Sequence, residues 1–562
     1  MALPTPTHLA GAAGSRTAGG VRRTDPALVK GWLAEGSWDG RALNALLRDA
    51  ADRTPDRVAL VGRGGPSDGP ERLTYEQLRE RVHAYACGLA DLGVGPGDAV
   101  AVMLPNVTDF AALIWAVMEL GAVYTGIPVA YGEREVRVIL ARSHAKVLVM
   151  PARVKDDRQL ALARRLRPTA PDLEHLVVAG SPAEGLGEGE RLLTDLLGAA
   201  PRALPDPHPF ALCHLGFTSG TTGEPKGVEN TAQTLGAVLR GFLGHIGTAT
   251  LGTPAVNLVA SPIGHHTGFL WGVLLSAATG ATAVLLETWD PDRAADAVER
   301  EGVTVFFGAP TFLQDLLGTR LAGTRTSLHT AVLAGAPVPR DLPARADAQL
   351  GLYVCPAWGM TEWGIGLACR PTLSPAAHRT DGVPVGACEV RIVDGVGAPV
   401  ADEAAGTLQI RGPGLFLGYH ERPDATDEAF DSDGWFTTGD LAVRHADGTV
   451  SLAGRTKDIV IRGGENIPVT EVESLLFTHP YVLACAVVGV PDPRLGERAC
   501  AVVVPRQGAE QELTLASLCG FLSEQGLSKH FLPERLELVE QLPMTPSGKI
   551  RKNELRTGLA GG

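Results

Sequence analysis

Short apolar runs alternate with amphipathic helical stretches through most of this chain. The runs fall at 99–104, 146–150, 175–179, 256–260, 281–286, 303–307 and 330–333; stretches such as 75–92 and 290–301 lie between them and have helical periodicity. A parallel strand is buried on both faces and needs a crossover to reach its neighbour, so it reads as a continuous apolar run followed by a helix. The alternation therefore predicts an α/β fold with parallel sheets covered by helices. After Ala387 the pattern changes to short alternating strands (389–393, 406–411, 449–452) separated by Asp-Gly and Gly-rich turns. This reads as a small β-rich subdomain over about 388–456. A third pattern follows Gly454-Arg455-Thr456-Lys457-Asp458: strands at 459–461, 484–490 and 499–504, helices near 469–477 and 513–524, and a basic tail. The expected organisation is a disordered tail over 1–25, a large N-terminal domain over 26–456 and a small α+β domain over 457–562, with the boundary at Lys457.

Bulk properties narrow the function. With 562 residues and 45% hydrophobic content the chain can bury several cores. A net charge of −13 argues against nucleic acid as a partner, because a phosphate backbone calls for a basic surface. The 8 cysteines form no C-x-x-C pair and read as scattered thiols of a reducing compartment. Residues 1–20 lack the apolar core of a signal peptide, and the longest apolar stretch, 271–286, is broken by Gly272, Thr279, Gly280 and Thr282. Helix, turn and buried strand is the expectation there, and a soluble, cytoplasmic protein without a membrane partner follows.

The densest chemical signal is Phe217-Thr218-Ser219-Gly220-Thr221-Thr222-Gly223-Glu224-Pro225-Lys226-Gly227, preceded by a strand-like run. Glycines allow close backbone approach, successive N–H groups and hydroxyls can cradle phosphate oxygens, and a lysine adds a point charge. The run lacks the Gly-Lys-Ser/Thr of a P-loop. Read in isolation, a flexible Gly/Thr linker competes with a phosphate loop. Other clusters are equally ambiguous alone. Trp358-Gly359-Met360-Thr361-Glu362 could start a helix, and Thr438-Gly439-Asp440 could be a plain turn. His265-His266 invites a metal, but adjacent side chains diverge and no third ligand stands at useful spacing.

Taken in order, these segments resemble the adenylate-forming superfamily, which holds acyl-CoA synthetases, luciferases and peptide-synthetase adenylation domains. The resemblance runs through the 217–227 loop, Gly335-Ala336-Pro337, Trp358-Gly359-Met360-Thr361-Glu362, Thr438-Gly439-Asp440, Arg455, and Pro543 to Gly548-Lys549. It implies two helix-flanked sheets in the large domain and a mobile C-terminal domain. It also implies ATP, Mg²⁺ and CoA as cofactors and a small-molecule carboxylic acid as substrate. Thr218, Ser219, Gly220, Thr221, Thr222 and Lys226 would hold the β- and γ-phosphates. Gly335, Ala336 and Pro337 would line the adenine pocket. Trp358, standing where tyrosine is usual, would stack on the base without a phenol hydrogen bond, with Gly359 and Met360 beside it. Thr361 would touch phosphate, Glu362 would bind the metal, and Asp440 with Arg455 would take the ribose. Lys549 would join carboxylate and α-phosphate, and His265 would gate the acid site. Phe269, Trp271, Phe307, Gly308, Gly335, Gly359 and Ile365 would line the acid pocket. Lys457 is the implied hinge, and Gly463, Gly464 and Glu465 would line the thiol tunnel after domain rotation.

Within the superfamily the 264–272 segment looks like cyclohexanecarboxylate-type ligases, or platensimycin-type terpenoid acyl-CoA ligases of secondary metabolism. That points to a medium-chain, alicyclic or bulky terpenoid acid. Adenylation alone, with the acyl group passed to a partner thiolation enzyme, is the alternative. A non-catalytic nucleotide-binding protein is a further rival, and a homodimer is left open.

Overall fold

The helix Thr108–Glu119 is apolar on every side, and its side chains from Thr108 to Met118 are all buried. A helix apolar all round belongs inside a protein. This one packs on strand Val58–Gly64 of one sheet and on Ala99–Val102 and Val123–Gly126 of another. It is a shared wall between two sheets, and a single apolar core runs across it.

The computed structural model describes residues 26–64, 69–152, 158–182, 185–218, 225–455, 460–462, 465–467, 469–492, 494–545 and 548–559. Lys457, Gly463 and Gly464 lie outside them, as do Ser219, Gly220, Thr221, Thr222 and the whole 1–25 segment.

A 9-stranded sheet has a parallel centre. Val256–Val259, Val305–Gly308, Thr330–Leu333 and Tyr353–Met360 run side by side in one direction, each reached by a crossover. A 7-stranded sheet is built the same way around Ala99–Val102, and ends in the antiparallel hairpin Leu212–Thr218 and Lys226–Thr231. The chain is thus an α/β protein, and helices such as Tyr75–Asp91 and Pro291–Glu301 match the periodicity of the sequence. Tyr75–Asp91 opens on Thr74, whose hydroxyl accepts from the Gln77 N–H while the Gln77 side chain returns the bond, so its start is fixed locally.

A 4-stranded antiparallel sheet spans Glu389–Val393 to Val450–Arg455. Beyond it a 5-stranded sheet, with Val482–Asp492 and Gly496–Pro505 as its long hairpin, carries the helices Val469–Leu476 and Leu515–Glu524. The basic tail is a helix, Lys552–Leu559, and not an irregular end. Leu555 and Leu559 pack it onto the apolar face formed by Ala486, Val488 and Val502. The 271–286 stretch is helix, turn and strand, with its first part, Gly268–Leu274, wound as a π-helix. Among the described residues no helix is long and apolar enough to cross a membrane.

Candidate active site

Parallel strands leave a crevice at their carboxyl ends, where side chains and backbone groups from neighbouring loops converge. Here the ends of Val256–Val259, Val305–Gly308, Thr330–Leu333 and Tyr353–Met360 open onto a cleft of about 690 Å³. Gly335, Ala336, Pro337, Trp358, Gly359, Asp440, Arg455 and Lys549 all face it. Below it a cavity of about 50 Å³ is walled by Trp271, Phe307, Gly308 and Ile365, with His265, Thr361 and Lys549 at its border.

Lys549 reaches this point because its backbone is tied to Thr545. The Thr545 N–H donates to the Lys549 carbonyl at 2.7 Å, and the Lys549 N–H donates to Thr545 Oγ1 at 3.0 Å. Gly548 takes φ +82°, and a Cβ there would sit 2.8 Å from Ala309 Cβ. Glycine is required both for the left-handed backbone and for its close approach to the large domain. The lysine side chain then lies against Gly335, where an added Cβ would meet Lys549 Cε at 3.3 Å. Burial pushes the ammonium down to about 8, helped by the Arg455 cation and opposed by Asp440 and Glu362.

Asp440 is buried and doubly held. The Arg455 Nε donates to Oδ1 at 2.9 Å, the two residues facing each other across an antiparallel pair. The Trp358 indole donates to Oδ2 at 2.8 Å. Tryptophan at this position thus brings a hydrogen-bond donor of its own to Asp440. Each carboxylate oxygen keeps a free lone pair for a further donor. Trp358→Phe removes the indole donor and keeps the ring; we expect a rise of roughly 5- to 10-fold in the ATP KM with little change in kcat, read by pyrophosphate release, about one neutral-to-charged hydrogen bond.

Glu362 sits in the turn between Tyr353–Met360 and Gly364–Ala368. Its Oε1 accepts from the Tyr419 hydroxyl at 2.9 Å. Burial raises its pKa, while the Tyr419 bond and the Arg455 and Lys549 cations pull the other way. Lys226 faces Thr218 across the hairpin that carries the Gly-rich loop, and its ammonium lies 4.5 Å from the centre of the Tyr419 ring.

The histidines have different surroundings. His265 Nδ1 accepts from the Thr267 N–H at 3.2 Å, and burial, then Lys549 and His266, push its pKa down to about 3. His266 borders the small cavity with neither ring nitrogen partnered among the described residues, and burial pushes it down to about 4. Both rings are neutral at pH 7. Among the described residues no three His, Cys, Asp or Glu side chains converge as a metal site.

One expectation is corrected. Phe269 does not line the acid cavity. It is fully buried behind it, stacked on His214 at 4.3 Å and against Tyr124 at 5.2 Å. Residues two apart on a helix face opposite ways, so Trp271 points into the cavity and Phe269 away from it. Sequence reasoning weighed His266 only as a metal ligand and passed over Tyr419. An adjacent histidine pair hinted at the first; nothing local marked the second. The Glu465 backbone lies in a short strand, Glu465–Ile467, paired with Val460–Arg462.

A crevice at strand ends, a buried Asp440 carboxylate that accepts from two donors and a lysine delivered from a second domain define a nucleotide-dependent adenylating enzyme. The AMP-binding enzyme family model matches residues 47–420, and the model of its C-terminal domain matches 471–549. The chain belongs to the AMP-binding enzyme family. It is 31% identical over 528 residues to the medium-chain fatty-acid–CoA ligase of Escherichia coli K12, covering 93% of this chain and 91% of that one. To the salicyl-AMP ligase / salicyl-S-ArCP synthetase of Mycobacterium tuberculosis it is 33% identical over 540 residues, covering 94% and 93%. The crystal structure of ATP-bound MatB from Rhodopseudomonas palustris superposes with a TM-score of 0.79 at 26% identity, covering 92% of this chain and 99% of that one. The protein is an AMP-forming acid–thiol ligase that works with ATP, Mg²⁺ and CoA.

Proposed function

We propose that this chain activates a small planar aromatic carboxylic acid bearing a hydrogen-bonding ring substituent, and passes the acyl group to CoA. One observation carries the acid class. The Trp271 and Phe307 rings are stacked, with centroids 5.5 Å apart and planes 5° from parallel, and both border the small cavity. A flat aromatic ring can extend such a stack, whereas a puckered alicycle is thicker and has no π-face to offer. The unpartnered His266 sits at the same cavity and, being neutral, can both donate and accept. A relative named for salicyl transfer fits this reading, and one named for medium-chain fatty acids sets the competing expectation.

In the first step a carboxylate oxygen of the acid attacks the α-phosphorus of ATP, and pyrophosphate leaves. Thr218 and Lys226 flank the loop that holds the leaving group, Asp440 and Arg455 take the ribose, and Lys549 draws the two anions together. A buried carboxylate that is joined by no cluster of His, Cys, Asp or Glu among the described residues suits a hard ion that completes its shell with phosphate oxygens and water, so Glu362 would hold Mg²⁺, which would neutralise phosphate charge. In the second step the thiol sulfur attacks the acyl carbon and AMP leaves. The domain boundary is placed at Lys457, with rotation there between steps.

A panel of acids scored for pyrophosphate release, with CoA consumption in parallel, tests the reading. Hydroxy- or amino-benzoates are expected to exceed linear and terpenoid acids by at least tenfold in kcat/KM; a preference for linear acids overturns it. Acyl-adenylate accumulating without acyl-CoA would instead favour a partner carrier as acceptor, as the name of the salicyl relative describes for that protein. His266→Leu is expected to lower kcat/KM for the substituted acid ~10- to 100-fold and barely affect its unsubstituted analogue, since a site that pairs a polar group discriminates through that pair. A pH profile adds a third check. Lys549 acts as a cation, so kcat/KM for ATP should decline as pH rises through about 8, well below the ordinary lysine range.

A further inference from the structure

The segment from Leu415 to His420 is stitched to both halves of the phosphate site. On one side it forms a ladder with strand Lys226–Thr231. The Leu417 N–H donates to the Glu229 carbonyl at 2.9 Å, the Glu229 N–H to the Gly418 carbonyl at 3.1 Å, and the His420 N–H to the Gly227 carbonyl at 2.8 Å. Val228 stands opposite Tyr419 in this ladder. On the other side, the Phe416 N–H donates to the Glu362 carbonyl at 2.9 Å. The side chains repeat the connection. The Tyr419 hydroxyl donates to Glu362 Oε1 at 2.9 Å, and the Lys226 ammonium rests 4.5 Å from the centre of the same ring. The ring itself is pinned: it is 6% exposed and packs edge-on against Phe416 at 4.9 Å, and its backbone N–H donates to Thr426 Oγ1 at 2.9 Å. Behind it, His420 Nδ1 and Glu229 Oε1 lie 2.6 Å apart and brace the ladder.

We propose that Tyr419 is a positioning residue which couples the two halves of the triphosphate site: its hydroxyl fixes the carboxylate of Glu362 for the metal, and its ring seats Lys226 for the phosphates. A carboxylate of this kind can rotate between orientations of similar energy. One hydrogen bond on Oε1 selects one of them and leaves Oε2 to the ion, which is how outer partners orient metal ligands. A lysine ammonium at the end of four flexible carbons loses rotamer freedom on binding phosphate, and a ring that holds it nearby lowers that cost. The proposal rests on the reading that Glu362 holds Mg²⁺.

The test uses Mn²⁺ as the probe, titrated by electron paramagnetic resonance against the full-length enzyme with α,β-methylene ATP, which is not cleaved. Glu362→Gln is the control for the metal reading itself, and should abolish tight Mn²⁺ binding. Tyr419→Phe keeps the ring and loses the hydroxyl. It should weaken Mn²⁺ by roughly 10- to 100-fold, the usual penalty for losing such a partner, and leave metal-free binding of the analogue unchanged. Its Mg²⁺ activation curve should shift by the same factor, with kcat recovered at saturating Mg²⁺. Tyr419→Leu should in addition weaken the metal-free analogue, because Lys226 loses its seat. A purely structural tyrosine would lower the melting temperature and leave the Mn²⁺ affinity of Tyr419→Phe at the wild-type value, and that result overturns the proposal. If Glu362→Gln also leaves Mn²⁺ unaffected, the metal reading falls with it; if only Tyr419→Phe is silent, the metal reading stands. Should Tyr419→Phe not accumulate as folded protein, the same titration on Tyr419→Met decides between the same outcomes.

Discussion

Lys549→Ala should slow ATP–pyrophosphate exchange by about 10²- to 10³-fold while sparing the transfer of a supplied acyl-adenylate to CoA. Attack of a carboxylate on an α-phosphate brings two anions together, and the transition state redistributes that charge onto bridging and non-bridging oxygens. A preorganised cation in a site shielded from water is worth about 2.7–4 kcal/mol at such a point. Lys549 is held there by its ties to Thr545 and by the left-handed backbone of Gly548 beside it, and it lies against Gly335 at the border of the small cavity. Removal leaves Arg455 as a nearby cation, already engaged with Asp440. The thiol step has no such anion pair to join. Equal losses in both half-reactions would mean that the substitution damages the fold and not one step; an unchanged exchange rate would show that another group supplies the charge. The measurement is radiolabelled pyrophosphate exchange beside CoA consumption from synthetic acyl-adenylate.

Asp440→Ala is expected to raise the ATP KM by roughly 30- to 100-fold with a smaller effect on kcat. A carboxylate accepting from two ribose hydroxyls makes charged hydrogen bonds of about 1.5–3 kcal/mol each, not fully additive. The loss also strands the buried Trp358 N–H, which has Asp440 Oδ2 as its acceptor. Asparagine does not rescue this arrangement well, because both Asp440 oxygens face donors and one would become an NH₂. The substitution carries a second signature. Asp440 holds the Lys549 pKa up against burial and Arg455. Without it the lysine deprotonates at still lower pH, so the alkaline fall in kcat/KM, expected near 8 in the wild type, moves to lower pH in the variant. A rise in KM with an unmoved pH limb would mean that the two groups are not coupled through the cleft.

The contrast between what was readable along the chain and what was not follows the range of the interactions involved. The strands at His175–Ala179 and Thr330–Leu333 stand as the apolar runs predict, since a parallel strand buried on both faces writes itself as a continuous run. The segments carrying Trp358, Asp440 and Lys549 were visible because each packs its chemistry into a few adjacent residues. Phe269 was misread for a local reason: pocket facing was judged by nearness in sequence, whereas helical winding sends alternate residues to opposite sides. Tyr419 was invisible for a non-local one. It lies 57 positions from Glu362, and a tyrosine after a glycine carries no mark of what its hydroxyl meets.

By itself, then, the amino-acid order determined the α/β class and the placing of strands and helices, and it singled out the residues proposed to bind phosphate, ribose and metal, because these depend on periodicity and on side-chain chemistry at short spacing. The tertiary structure decided which rings border the small cavity, that the Trp358 indole donates to Asp440, and that Tyr419 touches both Lys226 and Glu362. Those facts depend on distances between residues far apart in the chain, and only packing sets them.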